Sequence, residues 1–314
     1  MADLLRSAII WLGLTVGAAA EELKIVVHTM SGGHMIHARV FAHHLQKQSG
    51  QSVTIKTVPG AAGVTGANYL YNVSPKDGTE IGTIDSRVPI QFLAKSDGVK
   101  YDISKFGWLG SAVDGRREPF VLWSKAGVTS LIAGTESASS INHIRLINSV
   151  LRLDMKEVVG YTDSAQAKLA FERGEINVVA YSLTGIRTTN PSWLTDKKIV
   201  PLVQYGSGLV RHKSLYAVPT VMELAASDED QSLIEAFERF SILARSFAAP
   251  PDVPDHKLAH LRSLFDRVMS DPEYQSDAAK IGVIFSPVSW LETEKIVKDI
   301  SRIPQETVSR LRQF

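Results

Sequence analysis

Ser52-Val53-Thr54-Ile55-Lys56-Thr57-Val58-Pro59-Gly60-Ala61-Ala62-Gly63 is the stretch on which the fold of this chain turns. A segment of strand character runs straight into a glycine-rich loop, and a helical pattern carrying Ala67, Leu70 and Tyr71 follows at once. Strand, small-residue turn and helix in that order form the repeating unit of an α/β fold with largely parallel sheets. The unit recurs on both sides. Upstream, Lys24 to His28 reads as a strand, Ser31-Gly32-Gly33 as its turn, and the residues to about Gln48 as a helix. Downstream, Pro75-Lys76-Asp77-Gly78 has turn composition, and Glu80 to Ile84 is a third strand that ends at Asp85-Ser86-Arg87.

The middle of the chain repeats this grammar. Leu131-Ile132-Ala133 enters Gly134-Thr135-Glu136-Ser137-Ala138-Ser139-Ser140, and Ile144, Ile147 and Leu151 mark the helix beyond. Val158 to Tyr161 reads as a strand meeting Thr162-Asp163-Ser164, and Glu175 to Tyr181 as another ending at Ser182. Near the end, Pro250-Pro251-Asp252-Val253-Pro254 stops one element. Asp255 is then expected to cap a helix with Leu258, Leu261, Leu264, Phe265 and Val268 on one face. Gly282 is the expected cap after the helix that follows Asp271-Pro272.

Composition removes several function classes. A hydrophobic fraction of 44% and a charged fraction of 21% over 314 residues suit a soluble globular protein of one or two domains. The net charge of +1 gives no field to steer the whole molecule to nucleic acid. There is no cysteine, which excludes disulfides, a lipid-modified cysteine, Cys-ligated zinc and a thiol nucleophile. Residues 1–20 have the layout of a secretory signal peptide: Arg6, an apolar run from Ser7 to Ala20, and Ala18-Ala19-Ala20 before Glu21-Glu22. The run is shorter than the roughly 20 residues of a comfortable membrane-spanning helix.

The strand-to-helix junctions carry the chemistry. A helix start leaves N–H groups unpaired, and Ser and Thr hydroxyls add donors without a formal charge, so such loops suit a carboxylate. For any one of them ordinary helix capping is the better reading, and it is four such junctions in one chain that favour a shared anion site. Gly60 to Gly66 lacks both the dinucleotide order G-x-G-x-x-G and the Gly-Lys-Ser/Thr ending of a phosphate loop. No G-x-S-x-G elbow surrounds any serine. His34, His37, His43 and His44 lack an H-E-x-x-H pattern and read as solvated or capping residues, with no metal. Arg87 at a strand end either grips a ligand carboxylate or pairs with Asp85. Tyr161 and Tyr181 line a pocket or pack in the core.

Several of these segments, in order, resemble one family. Ser31-Gly32-Gly33-His34-Met35-Ile36-His37-Ala38-Arg39 is similar to the first loop and helix of the solute receptors of tripartite tricarboxylate transporters, the Bug or TctC-like family. Val58-Pro59-Gly60-Ala61-Ala62-Gly63 resembles that family's Pro-Gly-Ala-Gly-Gly loop. Ala67 to Thr79, Tyr161 to Ala165, Val218-Pro219-Thr220-Val221 and Phe247 to Pro251 follow in the family's order. Two departures stand out: Met35 replaces a common acidic residue, and Glu136 puts a negative charge in the second loop.

The resemblance implies a two-lobed periplasmic-binding-protein fold of type II, each lobe a mostly parallel sheet flanked by helices. It implies one lobe from 21–122 plus 246–314 and a second from 123–245. A small di-, tri- or aromatic carboxylate would lie between them. The residues expected to hold it are Thr29, Ser31, Gly32, Gly33, His34, Gly60, Ala61, Gly63, Asp85, Arg87, Thr135, Ser137, Ser139, Ser140, Tyr161, Ser164, Tyr181 and Ser182. The same resemblance implies a periplasmic monomer that needs no cofactor and passes its ligand to integral membrane permease subunits. The alternatives are a sensor receptor of the same fold and an enzyme acting on an organic acid.

Overall fold

The computed structural model describes residues 22–311 apart from 31, 118–119, 136–137, 162–163, 207–210, 212, 244, 282 and 284. The expected signal peptide, Ser31, Glu136, Ser137 and Gly282 lie outside the described residues, as do the side chains of Ser139, Ser140 and Ser164.

Among the described residues, eleven strands build two sheets. They are β1 (Leu23–Val27), β2 (Val53–Thr57), β3 (Glu80–Ile84), β4 (Gly107–Ser111), β5 (Phe120–Lys125), β6 (Ile132–Gly134), β7 (Lys156–Val158), β8 (Val178–Ser182), β9 (Ile199–Gln204), β10 (Ser246–Ala249) and β11 (Val288–Ser289). The first sheet has the order β11-β4-β10-β3-β1-β2 and the second β7-β6-β8-β5-β9. Both are mixed, though mostly parallel in direction. In the first, β1 to β4 share a direction, while β10 and β11 run against them. In the second, β5 alone runs against the other four. The fold class read from the sequence is therefore the one observed, with one reversed strand inserted in the interior of each sheet.

Local chemistry explains most boundaries. β1 alternates nothing, because Ile25, Val26 and Val27 are all buried, as a strand covered on both faces requires. The helices that matter for the site are α1 (Gly32–Ser49), α2 (Val64–Asn72), α3 (Arg87–Leu93), α4 (Ala138–Leu151) and α5 (Ser164–Arg173). Each starts within a few residues of a strand's carboxyl end. Two expected details are corrected. β7 ends at Val158 and does not run to Tyr161, because Gly160 at φ 106 turns the chain out of the sheet. Asp255 is the first helical residue, with Pro254 at the cap position, so its carboxylate acts on the helix dipole.

One buried cluster packs on the first sheet alone and one on the second, and a further cluster runs across both, from Ile84 and Trp108 to Leu122 and Val178. Phe41 of α1 stacks on Phe247 of β10 at 4.1 Å, with Phe265 and Tyr274 packed around them. Met35 is buried in this cluster, so the first-loop departure from the family faces the core. In the second sheet Trp123, Phe171 and Trp193 fill the corresponding space. The chain crosses between sheets twice, after β4 and before β10. The crossings touch, since a Cβ on Gly115 would lie only 2.2 Å from the Ser241 carbonyl oxygen. No helix among the described residues is long and apolar enough to cross a membrane.

Candidate functional site

The carboxyl ends of β1, β2, β3 and β4 and the amino end of β10 share one edge of the first sheet, where ligands of open α/β sheets commonly bind. That edge carries a buried charge cluster. Asp85, 1% exposed, follows β3 and receives Arg87 in a two-pronged grip: Nε donates to Oδ1 at 2.7 Å and a terminal nitrogen to Oδ2 at 3.1 Å. The Arg87 backbone N–H also donates to Oδ1 at 2.9 Å, so a short Asp-Ser-Arg turn fixes the pair. His28, just past β1, lies with Nε2 3.3 Å from Asp85 Oδ2 and Nδ1 3.1 Å from the Thr83 hydroxyl. His34, in the first turn of α1, packs edge-on to His28 with centroids 4.7 Å apart. Its Nε2 accepts from Arg245 at 2.7 Å and lies 3.7 Å from Asp85.

Arg87 thus pairs with Asp85. The grip leaves one terminal nitrogen of Arg87 outside it. Burial alone pushes the Asp85 carboxyl up, but Arg87, the His28 hydrogen bond and His34 outweigh it and hold it well below the usual carboxylate range. His34 titrates well below an ordinary histidine, first through burial and then through Arg245. Its ring is a quarter exposed, and a guanidinium donating to Nε2 requires the neutral ring. Two permanent cations thus converge on the edge where Asp85 lies.

The glycine loop is built onto this cluster. Gly60, Ala61 and Gly63 all have positive φ, at 132, 43 and 93. A Cβ on Gly63 would lie 3.2 Å from Asp85 Cβ and from Val88, so the loop rests against the acid directly. Thr29 lies half-buried between β1 and α1, and Gly32 and Gly33 open α1.

The other expected site residues belong to the second sheet and its loops. Thr135 is buried at the end of β6, and α4 with Ser139 and Ser140 in its first turn follows. Tyr161 is half-buried, with a ring carbon 3.0 Å from where a Cβ on Gly134 would lie. Ser164 begins α5. Tyr181 sits in β8 with the Lys168 ammonium 5.9 Å from its ring centre. Ser182 accepts from the Gly185 N–H at 3.0 Å and caps the next helix.

Sequence reasoning missed His28 and Arg245. It also misread two histidines as solvated or capping. His37 is buried and pairs with the Tyr274 hydroxyl at 2.8 Å. His44 is fully buried, with its two ring nitrogens 3.3 and 3.1 Å from the carboxylates of Asp271 and Asp277.

Two groups among the described residues have ligand-type atoms within 4.8 Å of each other, His28, His34 and Asp85 in one and His44, Asp271 and Glu273 in the other. In the first, guanidinium nitrogens already occupy both Asp85 oxygens and His34 Nε2, which is unfavourable for a cation. In the second, Lys47 is bonded to Glu273 and His44 to Asp271. The order Thr83, His28, Asp85 has the sequence of contacts of a hydrolytic triad. However, Thr83 lies within β3, paired to Phe247, and Arg87 neutralises the acid that would have to stabilise a histidinium.

No protein-family model and no curated protein matches the sequence. Solved structures do match. A TctC solute binding protein from Polaromonas is similar with a TM-score of 0.65 at 13% identity, over 93% of this chain and 98% of that one. An R. palustris protein solved with adipate gives 0.67 at 19% identity, over 93% and 97%. MatC from Rhodopseudomonas palustris with bound malate gives 0.61 at 16% identity, over 93% and 98%. With two mixed sheets joined by two crossings, this chain has the two-lobed α/β fold of these periplasmic binding proteins.

Proposed function

We propose that the protein is an extracytoplasmic receptor of the Bug or TctC-like kind that captures a small organic carboxylate between its lobes. It delivers the ligand to the integral membrane permease of a tripartite tricarboxylate transporter. The observation that carries this reading is the convergence of two guanidiniums, Arg87 and Arg245, at the strand-end edge beside Asp85. A carboxylate accepts short, charge-assisted hydrogen bonds from groups of this kind. That similar folds have been solved with adipate and malate supports an acid as the ligand.

The lobes that move are 21–122 with 246–314, and 123–245. A ligand touching both favours the closed form by its differential affinity, and the closed monomer is what the permease reads. The role is binding without turnover, in the periplasm after removal of residues 1–20.

A thermal-shift screen of the mature protein, first stripped of host ligand, tests this against mono-, di- and tricarboxylates and neutral solutes. An acid at 100 times its Kd adds about 2.7 kcal/mol, a shift of several degrees. Arg245→Gln should weaken the same acid by about 30-fold or more, since it removes a charged partner of the bound carboxylate. A protein stabilised by neutral solutes and by no acid has some other function.

A further inference from the structure

A cavity of about 370 Å³ runs away from the charged edge along one face of α3. Arg87, Ile90 and Gln91 of α3, the run from Ala94 to Asp97 just past its end, Asn142 of α4 and Leu311 line it. α3 follows a strand of the first sheet and α4 a strand of the second, so the cavity lies between the lobes. From Arg87 to the end of α3 at Leu93 the helix rises about 9 Å, and Lys95 to Asp97 lie past that end, beyond the reach of a short diacid anchored at the edge. Something longer fits.

The lining says what that is. Gln91, Lys95, Ser96 and Asp97 make no side-chain hydrogen bond or ion pair among the described residues. Lys95 and Asp97 cancel, so the outer end has no net charge to hold a second carboxylate. Amide and hydroxyl groups both donate and accept, which matches a chain of hydroxyls. A plain methylene chain would find contacts at Ile90, Ala94 and Leu311, but it would strip water from these polar groups and return no hydrogen bond.

Resting on the carboxylate-receptor reading above, we propose that this groove is a tail subsite and that the ligand is an elongated hydroxy acid of the sugar-acid class. Its carboxylate sits at Arg87 and Arg245, and its hydroxylated chain lies along Gln91, Ser96 and Asn142.

Calorimetry with gluconate, adipate and hexanoate, which share one chain length, tests this alongside malate as a short acid. Gluconate should bind about tenfold or more tighter than adipate or hexanoate. Gln91→Leu should remove most of that preference, and Ala94→Trp should obstruct the groove and weaken gluconate far more than malate. Melting curves establish that both variants are folded. Adipate or hexanoate binding as tightly as gluconate, or a preference that survives Gln91→Leu, overturns the tail subsite while the carboxylate reading stands. Folded protein that binds no acid of any length overturns both.

Discussion

Asp85→Ala is expected to destabilise the protein by about 3–5 kcal/mol, because removing one member of a buried ion pair leaves its partner's charge uncompensated. Arg87 loses both prongs of its grip, and the contact to His28 goes with them. Arg245 is not relieved either. It donates to the neutral ring of His34, so two guanidiniums would share the strand-end edge without the acid that now lies there. Urea unfolding at pH 7.5 measures the loss, and a change under about 1 kcal/mol would show that the cluster is solvated enough to be dispensable. Asp85→Asn should fall between the two, since an amide keeps an acceptor but removes the charge. Acid capture should suffer in both variants, because Arg87 can then turn away from the ligand.

Acid pH should destabilise the protein through His37. Burial, and to a smaller degree Arg245, lowers this residue to about 3, against about 6.5 for an ordinary histidine. The folded state therefore binds fewer protons than the unfolded chain between those values. The stability of the neutral, buried ring is fully present above pH 6.5 and is lost as pH falls from there toward 3. The loss approaches about 1.4 kcal/mol per pH unit and reaches roughly 2.7 kcal/mol at pH 4.5. His34, also held low, adds to it in the same direction. His37→Gln keeps a hydrogen-bonding group near Tyr274 but cannot titrate. Its unfolding free energy should be about 1 kcal/mol lower at pH 7.5 and should fall less steeply between pH 6.5 and 4.5. Parallel pH profiles for the two proteins would assign the acid sensitivity elsewhere.

How much of this was legible in the sequence depends on the separation of the groups involved. Asp85-Ser86-Arg87 is a local turn, so the pairing of Arg87 with Asp85 was one of the readings the residues themselves offered, and backbone geometry forms it. The glycine loop was legible for the same reason, since its positive-φ residues adjoin a strand and a helix in sequence. Arg245 was not, because its partner His34 lies 211 positions away, and only the insertion of β10 beside β3 brings them together. His37 and His44 show the same limit. Nothing local distinguishes a histidine buried against Tyr274 from one held between two carboxylates, because all their partners come from the chain's last quarter. Alternation and turn composition specified the α/β layers; they are silent on which reversed strand fills the interior of each sheet. Arg87 and Gln91 are legible at helical spacing, but in so short a helix the same spacing fits a solvated face equally well.

The position of β10 also governs when the molecule can become itself. Ser246 pairs with Ile84 on one side and Ser111 on the other, so β3 and β4 each keep an open hydrogen-bonding edge until a segment more than a hundred residues later arrives. A chain made from its amino end cannot complete its first sheet while most of it already exists, and closing so long a loop slows folding. Unfinished chains should therefore present two adjacent sticky edges, the kind that attract chaperones or like strands. Truncations ending before Ser246 should be insoluble even though they contain nearly every residue of the second sheet's core.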